Sequence, residues 1–251
     1  METMTPAPRH FSKAPIIEAI IDIQIAGAPA DLLDALEHAE MAAGYRQVGT
    51  IGAMIGKLEF KEENPVASAH GSRLGYRFQS ADDKYVVQVR TNGFTVSRLS
   101  PYDGWETFIE EAQSNWAHYL RTVESSSTVS PQFSVRYINK LHMPPGSEIS
   151  SYLRTYPEIS PELPQVMMNS FMRVELDLGS DLPGATLILQ QFYTQSDQPG
   201  QVAMILDNEI RVPYIVPISD PGLWATIQRT RALKNRYFRG CITPLMEESI
   251  D

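Results

Sequence analysis

The sequence predicts an α+β fold: duplicated β-α-β4-α halves forming one curved antiparallel sheet, with the long helices on its convex face. Three observations predict it. The stretch 84–123 reads as a strand, a tight turn, a second strand, a Pro break and a long amphipathic helix. A weaker copy recurs at 202–238, aligning without gaps from Val86/Val202 through Pro101/Pro217 and matching Asn92 to Asn208 and Val96 to Val212. The elements ahead of each copy also repeat in the same order.

Taken in order, residues 1–14 contain Pro and read as a flexible N-terminal arm. The first half spans 15–124. From Ile16 to Ile25, Ile17, Ala19, Ile21, Ile23 and Ile25 alternate with Glu18, Asp22 and Gln24, the period-2 pattern of a strand with one buried face. Pro29 opens a helix through Leu32, Leu33, Leu36 and Ala39 that Gly44 ends. A Gly-broken strand follows at 49–60, a loop at 62–72, and a strand at 74–79. Tyr85, Val87 and Val89 alternate with polar residues, and Asn92-Gly93 supplies the φ > 0 positions of a type I′ hairpin turn. Pro101 stops the return strand, and Asp103 with Glu106 resembles a capping box. Trp105, Phe108, Ile109, Ala112, Trp116, Tyr119, Leu120 and Val123 then share one helical stripe.

The Ser-rich run 124–130 reads as a linker, and 131–251 as the second half of one joint globular unit. Phe133 to Leu141 is a strand in which Phe133, Val135, Tyr137 and Leu141 share a face with Asn139, while Arg136 and Lys140 point away. A short helix at 148–156 and a Pro-marked passage lead to strands at 171–178 and 185–193. The second-copy hairpin turns at Asn208, Asp220 takes the N-cap place, and Pro221 sits at N1 of the last helix.

The chain has 251 residues with 43% hydrophobic and 20% charged positions, ordinary values for a globular protein. No apolar run reaches the roughly 18–20 residues of a membrane span, and the start has no apolar signal core. One cysteine, Cys241, excludes an internal disulfide. These features place the chain in the cytoplasm. A net charge of −9 argues against nucleic acid as a partner. The five histidines are scattered outside ligand spacings, and no phosphate-binding loop or nucleophile elbow occurs. The expectation is no metal and no cofactor.

At 14–23 (APIIEAIIDI), 93–105 (GFTVSRLSPYDGW), 136–141 (RYINKL) and 234–238 (KNRYF), the chain resembles a sporadically distributed bacterial family of about this length with no assigned activity. The paired halves also resemble the pseudo-symmetric TATA-binding-protein-like fold. The first resemblance implies an accessory role, such as defence or toxin–antitoxin systems, and carries over no catalytic residue.

Candidate binding residues are Glu18, Arg98, Arg136, Asn139, Arg231, Lys234 and Asn235. Glu18 shares a strand face with Asp22, and cross-strand arginines such as Arg90 and Arg136 are their ordinary partners. In the last helix, putting Trp224, Ile227 and Phe238 inward brings Arg231, Lys234 and Asn235 onto or beside the buried face. Such groups either snorkel past the core or line a cleft shared with Glu18, Asn139 or Arg98. Two readings follow. One is a non-catalytic binding protein that recognises a protein or small ligand on its curved sheet, with homodimerisation as a way to cover edge strands. The alternative is an enzyme acting on a small anionic substrate in a cleft between the halves.

Overall fold

The computed structural model describes residues 11–60, 65–123 and 128–251, with backbone alone for 55–60 and 65–70. Its nine strands form one antiparallel sheet. They are β1 (Ile16–Gln24), β2 (Tyr45–Phe60), β3 (Pro65–Ser80), β4 (Tyr85–Arg90), β5 (Gly93–Leu99), β6 (Val129–Met143), β7 (Phe171–Asp177), β8 (Thr186–Thr194) and β9 (Val202–Pro217). The helices are α1 (Leu32–Glu37), α2 (Trp105–Val123), α3 (Leu223–Cys241) and α4 (Pro244–Ser249). No described helix is long and apolar enough to cross a membrane.

Strand order is β2-β3-β4-β5-β1-β6-β9-β8-β7. The two central strands, β1 and β6, pair directly, Ala19 opposite Tyr137 and Ile21 opposite Val135. From β1 outward the chain runs β5, β4, β3, β2, and from β6 outward β9, β8, β7.

The period-2 alternation sorts the two faces. Ala19, Ile21, Ile23, Phe94, Val96, Phe133, Val135 and Ile210 fall on one face and are buried. The other face carries Glu18, Asp22, Thr95, Ser97, Ser134, Arg136, Glu209 and Arg211. Two α2 rings meet Phe94, Trp116 edge-on with centroids 5.4 Å apart and Tyr119 at 5.6 Å. These aromatics dominate the local apolar burial, each worth about 2–3 kcal/mol of transfer free energy. On α3, Leu223, Ile227, Thr230, Lys234, Phe238 and Cys241 are the inward positions, and Trp224, expected among them, is only half-buried.

Several expected elements differ. The turn expected at Asn208 is absent, because β9 runs unbroken through it, so three strands follow β6 rather than four. Asn208 is fully buried between Tyr137 of β6 and Leu189 of β8. Ladder bonds on both sides hold it extended, and Glu209 lacks the glycine that makes a primed turn cheap. The first hairpin does form, but Arg90 pairs with Gly93, so Thr91 and Asn92 are the turn residues, and neither has φ > 0. Gly93 is required for a different reason: a Cβ there would lie 2.7 Å from the Ile23 carbonyl oxygen of β1.

The loop expected at 62–72 is strand from Pro65 onward, with 61–64 outside the described residues. The helix expected at 148–156 is one 3-10 turn, Ile149–Ser151. The Ser-rich linker gives way to β6 at Val129, and its residues 124–127 lie outside the described residues. Of the expected flexible arm, 1–10 lie outside them as well, whereas 11–14 pack against the C-terminal helices. There Lys13 donates its amide to the Ile250 carbonyl at 3.1 Å, and Phe11 meets Phe238 edge-on at 6.4 Å.

Candidate functional site

The site forms where α3 crosses β6. Alternation in β6 turns Tyr137 and Asn139 to the apolar face of the sheet, because Tyr137 sits opposite Ala19 of β1. On α3, Arg231, Lys234, Asn235 and Phe238 follow an i, i+3, i+4, i+7 spacing and lie along one side of the helix. The two rows line a partly open cavity of about 80 Å³, to which Phe11, Ala14 and Pro15 of the N-terminal segment also contribute. That is room for several water-sized groups.

Lys234 is the central feature. It is 4% exposed, and its Nζ stands 3.2 Å from the centre of the Tyr137 ring. Among the described residues it donates no hydrogen bond and meets no carboxylate. Burial, and secondarily the nearby Arg231 charge, push its pKa well below the ordinary lysine value. The π face of Tyr137 attracts the ammonium and offsets part of the desolvation, by about 2 kcal/mol at most for such a contact. The neutral amine is thus favoured by the surroundings, while the ring and any arriving anion favour the charged form.

The rest of the cavity wall is cationic or neutral. Arg231 stacks over Trp105 of α2 at 5.3 Å, and Arg239 lines the opposite end. Tyr102, in the segment before α2, shares a 3.1 Å hydroxyl–hydroxyl hydrogen bond with Tyr137. Burial pushes the Tyr102 phenol up to about 12 and the Tyr137 phenol well above its ordinary value, so both are neutral at physiological pH. Asn139 Nδ2 donates to the Leu206 carbonyl at 3.0 Å, which fixes the amide plane. No aspartate or glutamate appears among the lining residues.

Of the seven residues singled out from the sequence, four meet here: Asn139, Arg231, Lys234 and Asn235. The other three lie elsewhere. Arg98, fully buried, clamps Asp103 through Nε at 3.1 Å and Nη2 at 3.0 Å, with its guanidinium 4.9 Å from the Tyr85 ring. Arg98 braces the connection between β5 and α2, and its hydrogen bond holds the Asp103 carboxyl below the usual range. Arg136 and Glu18 are on the polar face, in a shallow groove of about 450 Å³. Arg136 is committed there to Asp207 through two bonds of 2.9 and 2.5 Å. Asp22 likewise pairs with Arg90 at 2.7 Å, and Glu209 with Arg211 at 2.9 Å. Most of the groove's charges are thus paired within the sheet, Glu18 alone lacking an ion-pair partner among the described residues, whereas the lining around Lys234 offers no carboxylate at all.

Tyr102 and Tyr137 were not singled out. Tyr137 carried a signal, since it shares a strand face with Asn139. Tyr102 carried none, because it sits in a segment without periodicity. Among the described residues no group of three or more His, Cys, Asp or Glu is placed to hold a metal ion. The buried Cys241 thiol is pushed up by desolvation, which suits a packing role. Comparisons of the chain with protein-family models, with curated proteins and with solved structures found no match.

Proposed function

We propose that this protein binds a small anion, a carboxylate or phosphate group carried by a larger ligand, in the cleft between α3 and the central strands. The observation that carries this reading is the Lys234 amine, buried in a cavity with Arg231 and Arg239 and without a carboxylate partner among the described residues, so that an arriving anion would draw it into its charged form. Burying an unpaired cation costs several kcal/mol, and an arriving anion removes that cost by pairing with it. The lining chemistry favours capture over catalysis: it offers cations, amides and neutral phenols, but no carboxylate, histidine or thiol to move protons or attack. In this reading the mirrored strand order reflects a duplicated ancestor with its long helices on the convex side, and of those two helices only α3 has acquired inward cations.

The test is isothermal titration calorimetry of the full chain with inorganic phosphate and with acetate, alongside native mass spectrometry of protein purified from its own host. Wild type should bind at least one of the two, and Lys234→Met should weaken that binding by about tenfold or more, as expected for loss of one charge-assisted contact. Equal binding by the two proteins, or none by wild type, removes the proposal.

A further inference from the structure

The two edges of the sheet are unlike. The β2 edge is interrupted by register shifts at Gln47/Gly49 and Ile51/Gly52, irregularities of the kind that blunt an edge against pairing. The β7 edge is regular over its whole length: Phe171 to Asp177 pairs with β8 without a shift, and among the described residues no strand pairs with its outer side. It is also apolar for an edge. Phe171 is 67% exposed, and Val166 and Met168, in the segment leading into the strand, are 85% and 92% exposed.

The β7 sequence, Phe-Met-Arg-Val-Glu-Leu-Asp, has a property that shows only when it is laid antiparallel against itself. With Val174 on the two-fold axis, Arg173 falls opposite Glu175 of the second copy, and Glu175 opposite its Arg173. Met172 falls opposite Leu176, and Val174 opposite itself. The sheet faces agree with this register. Val174 and Leu176 pair with Leu189 and Leu187 of β8, both buried on the helix-covered face, whereas Arg173 and Glu175 pair with Gln190 and Ile188 on the polar face. Self-pairing therefore joins an apolar row to an apolar row and matches opposite charges twice. Within one chain Arg173 and Glu175 bond to each other at 2.5 Å, so pairing across the axis exchanges one opposite-charge partner for another and leaves no charge unmatched.

We infer that the partner of this edge is a second copy of the chain, joined through antiparallel β7–β7 pairing centred on Val174, so that two nine-stranded sheets become one. The interface is isologous: each group the edge offers is answered by the same group turned through the two-fold axis. Backbone bonds supply its length, and the Arg173–Glu175 matches fix its register.

Multi-angle light scattering of the full chain at micromolar concentration tests this. Wild type should run as a dimer. Arg173→Glu or Glu175→Arg alone places like charges opposite each other twice, and should raise the dimer dissociation constant about tenfold or more. The double exchange R173E/E175R should restore it. These side chains lie at the surface, and circular dichroism checks that each variant stays folded. A short bismaleimide should link Val174→Cys chains in the dimer and leave Asp177→Cys chains unlinked, since only position 174 meets its own copy. A monomeric wild type overturns the inference, as does a dimer indifferent to both charge reversals, or one that links at 177 and not at 174.

Discussion

Lys234 is the residue on which the chemistry turns, and its energetic cost is measurable without any ligand. Between its lowered folded pKa and the unfolded value of about 10.4, the unfolded chain holds more protons at this position than the folded one. Stability at Lys234 therefore rises with pH across that window, and below it the full cost of burying the charge is present. Lys234→Met keeps the stem and removes the ammonium, so it should stabilise the empty protein at neutral pH by about 1–3 kcal/mol. Its unfolding midpoint in urea should also change less between neutral and alkaline pH than that of wild type. The sequence placed Lys234 inward, because helical spacing is a local property. It could not show that Tyr137 would be the neighbour, or that Arg98, an equally inward cation, would be satisfied by Asp103 five residues on.

At the scale of elements, the two hairpin sequences show why similar strings fold differently. Arg90-Thr91-Asn92-Gly93 turns, with Tyr119 of α2 donating its hydroxyl to the Arg90 carbonyl at 2.7 Å. The matching Leu206-Asp207-Asn208-Glu209 runs straight, with Asp207 held by Arg136 and by Gln190 at 3.1 Å on either side. Amides of 206–210 should therefore be among the slowest in the chain to exchange with deuterium, whereas Thr91 and Asn92 should lie in a faster region. Fast exchange at 208–209 would mean a turn there after all. The α2 helix and the β1 alternation from Glu18 onward were legible, since each is a long periodic segment, whereas Ile17, expected on the buried face, is exposed beside the register shift at Ile16/Glu18. The first part of β3 was not legible, because the small and polar residues from 65 to 72 carry no alternation and pairing with β2 decides their conformation, whereas the strand expected at 74–79 is there.

For the whole molecule, the central pairing of β1 with β6 makes one sheet and one continuous core of the two halves. Val135 packs in the same cluster as Ile21, and Trp105 of α2 donates its indole N–H to Gln228 of α3. Neither half buries its central strand without the other. Differential scanning calorimetry of the full chain should show a single unfolding transition, with calorimetric and van't Hoff enthalpies in agreement. Two resolved transitions would show that the halves are independent domains.

The sequence by itself determined the α+β class, the phase of the central strands, the buried stripes of α2 and α3, and the inward position of Lys234. All of these follow from periodicity within one segment. Only the tertiary structure decided that Asn139, Arg231, Lys234 and Asn235 share a cavity, while Glu18 and Arg136 face the opposite side of the sheet and Arg98 braces a connection. The physical reason is that a side chain's face is written in its own segment, whereas its neighbours are set by strand register and helix placement between segments far apart in the chain.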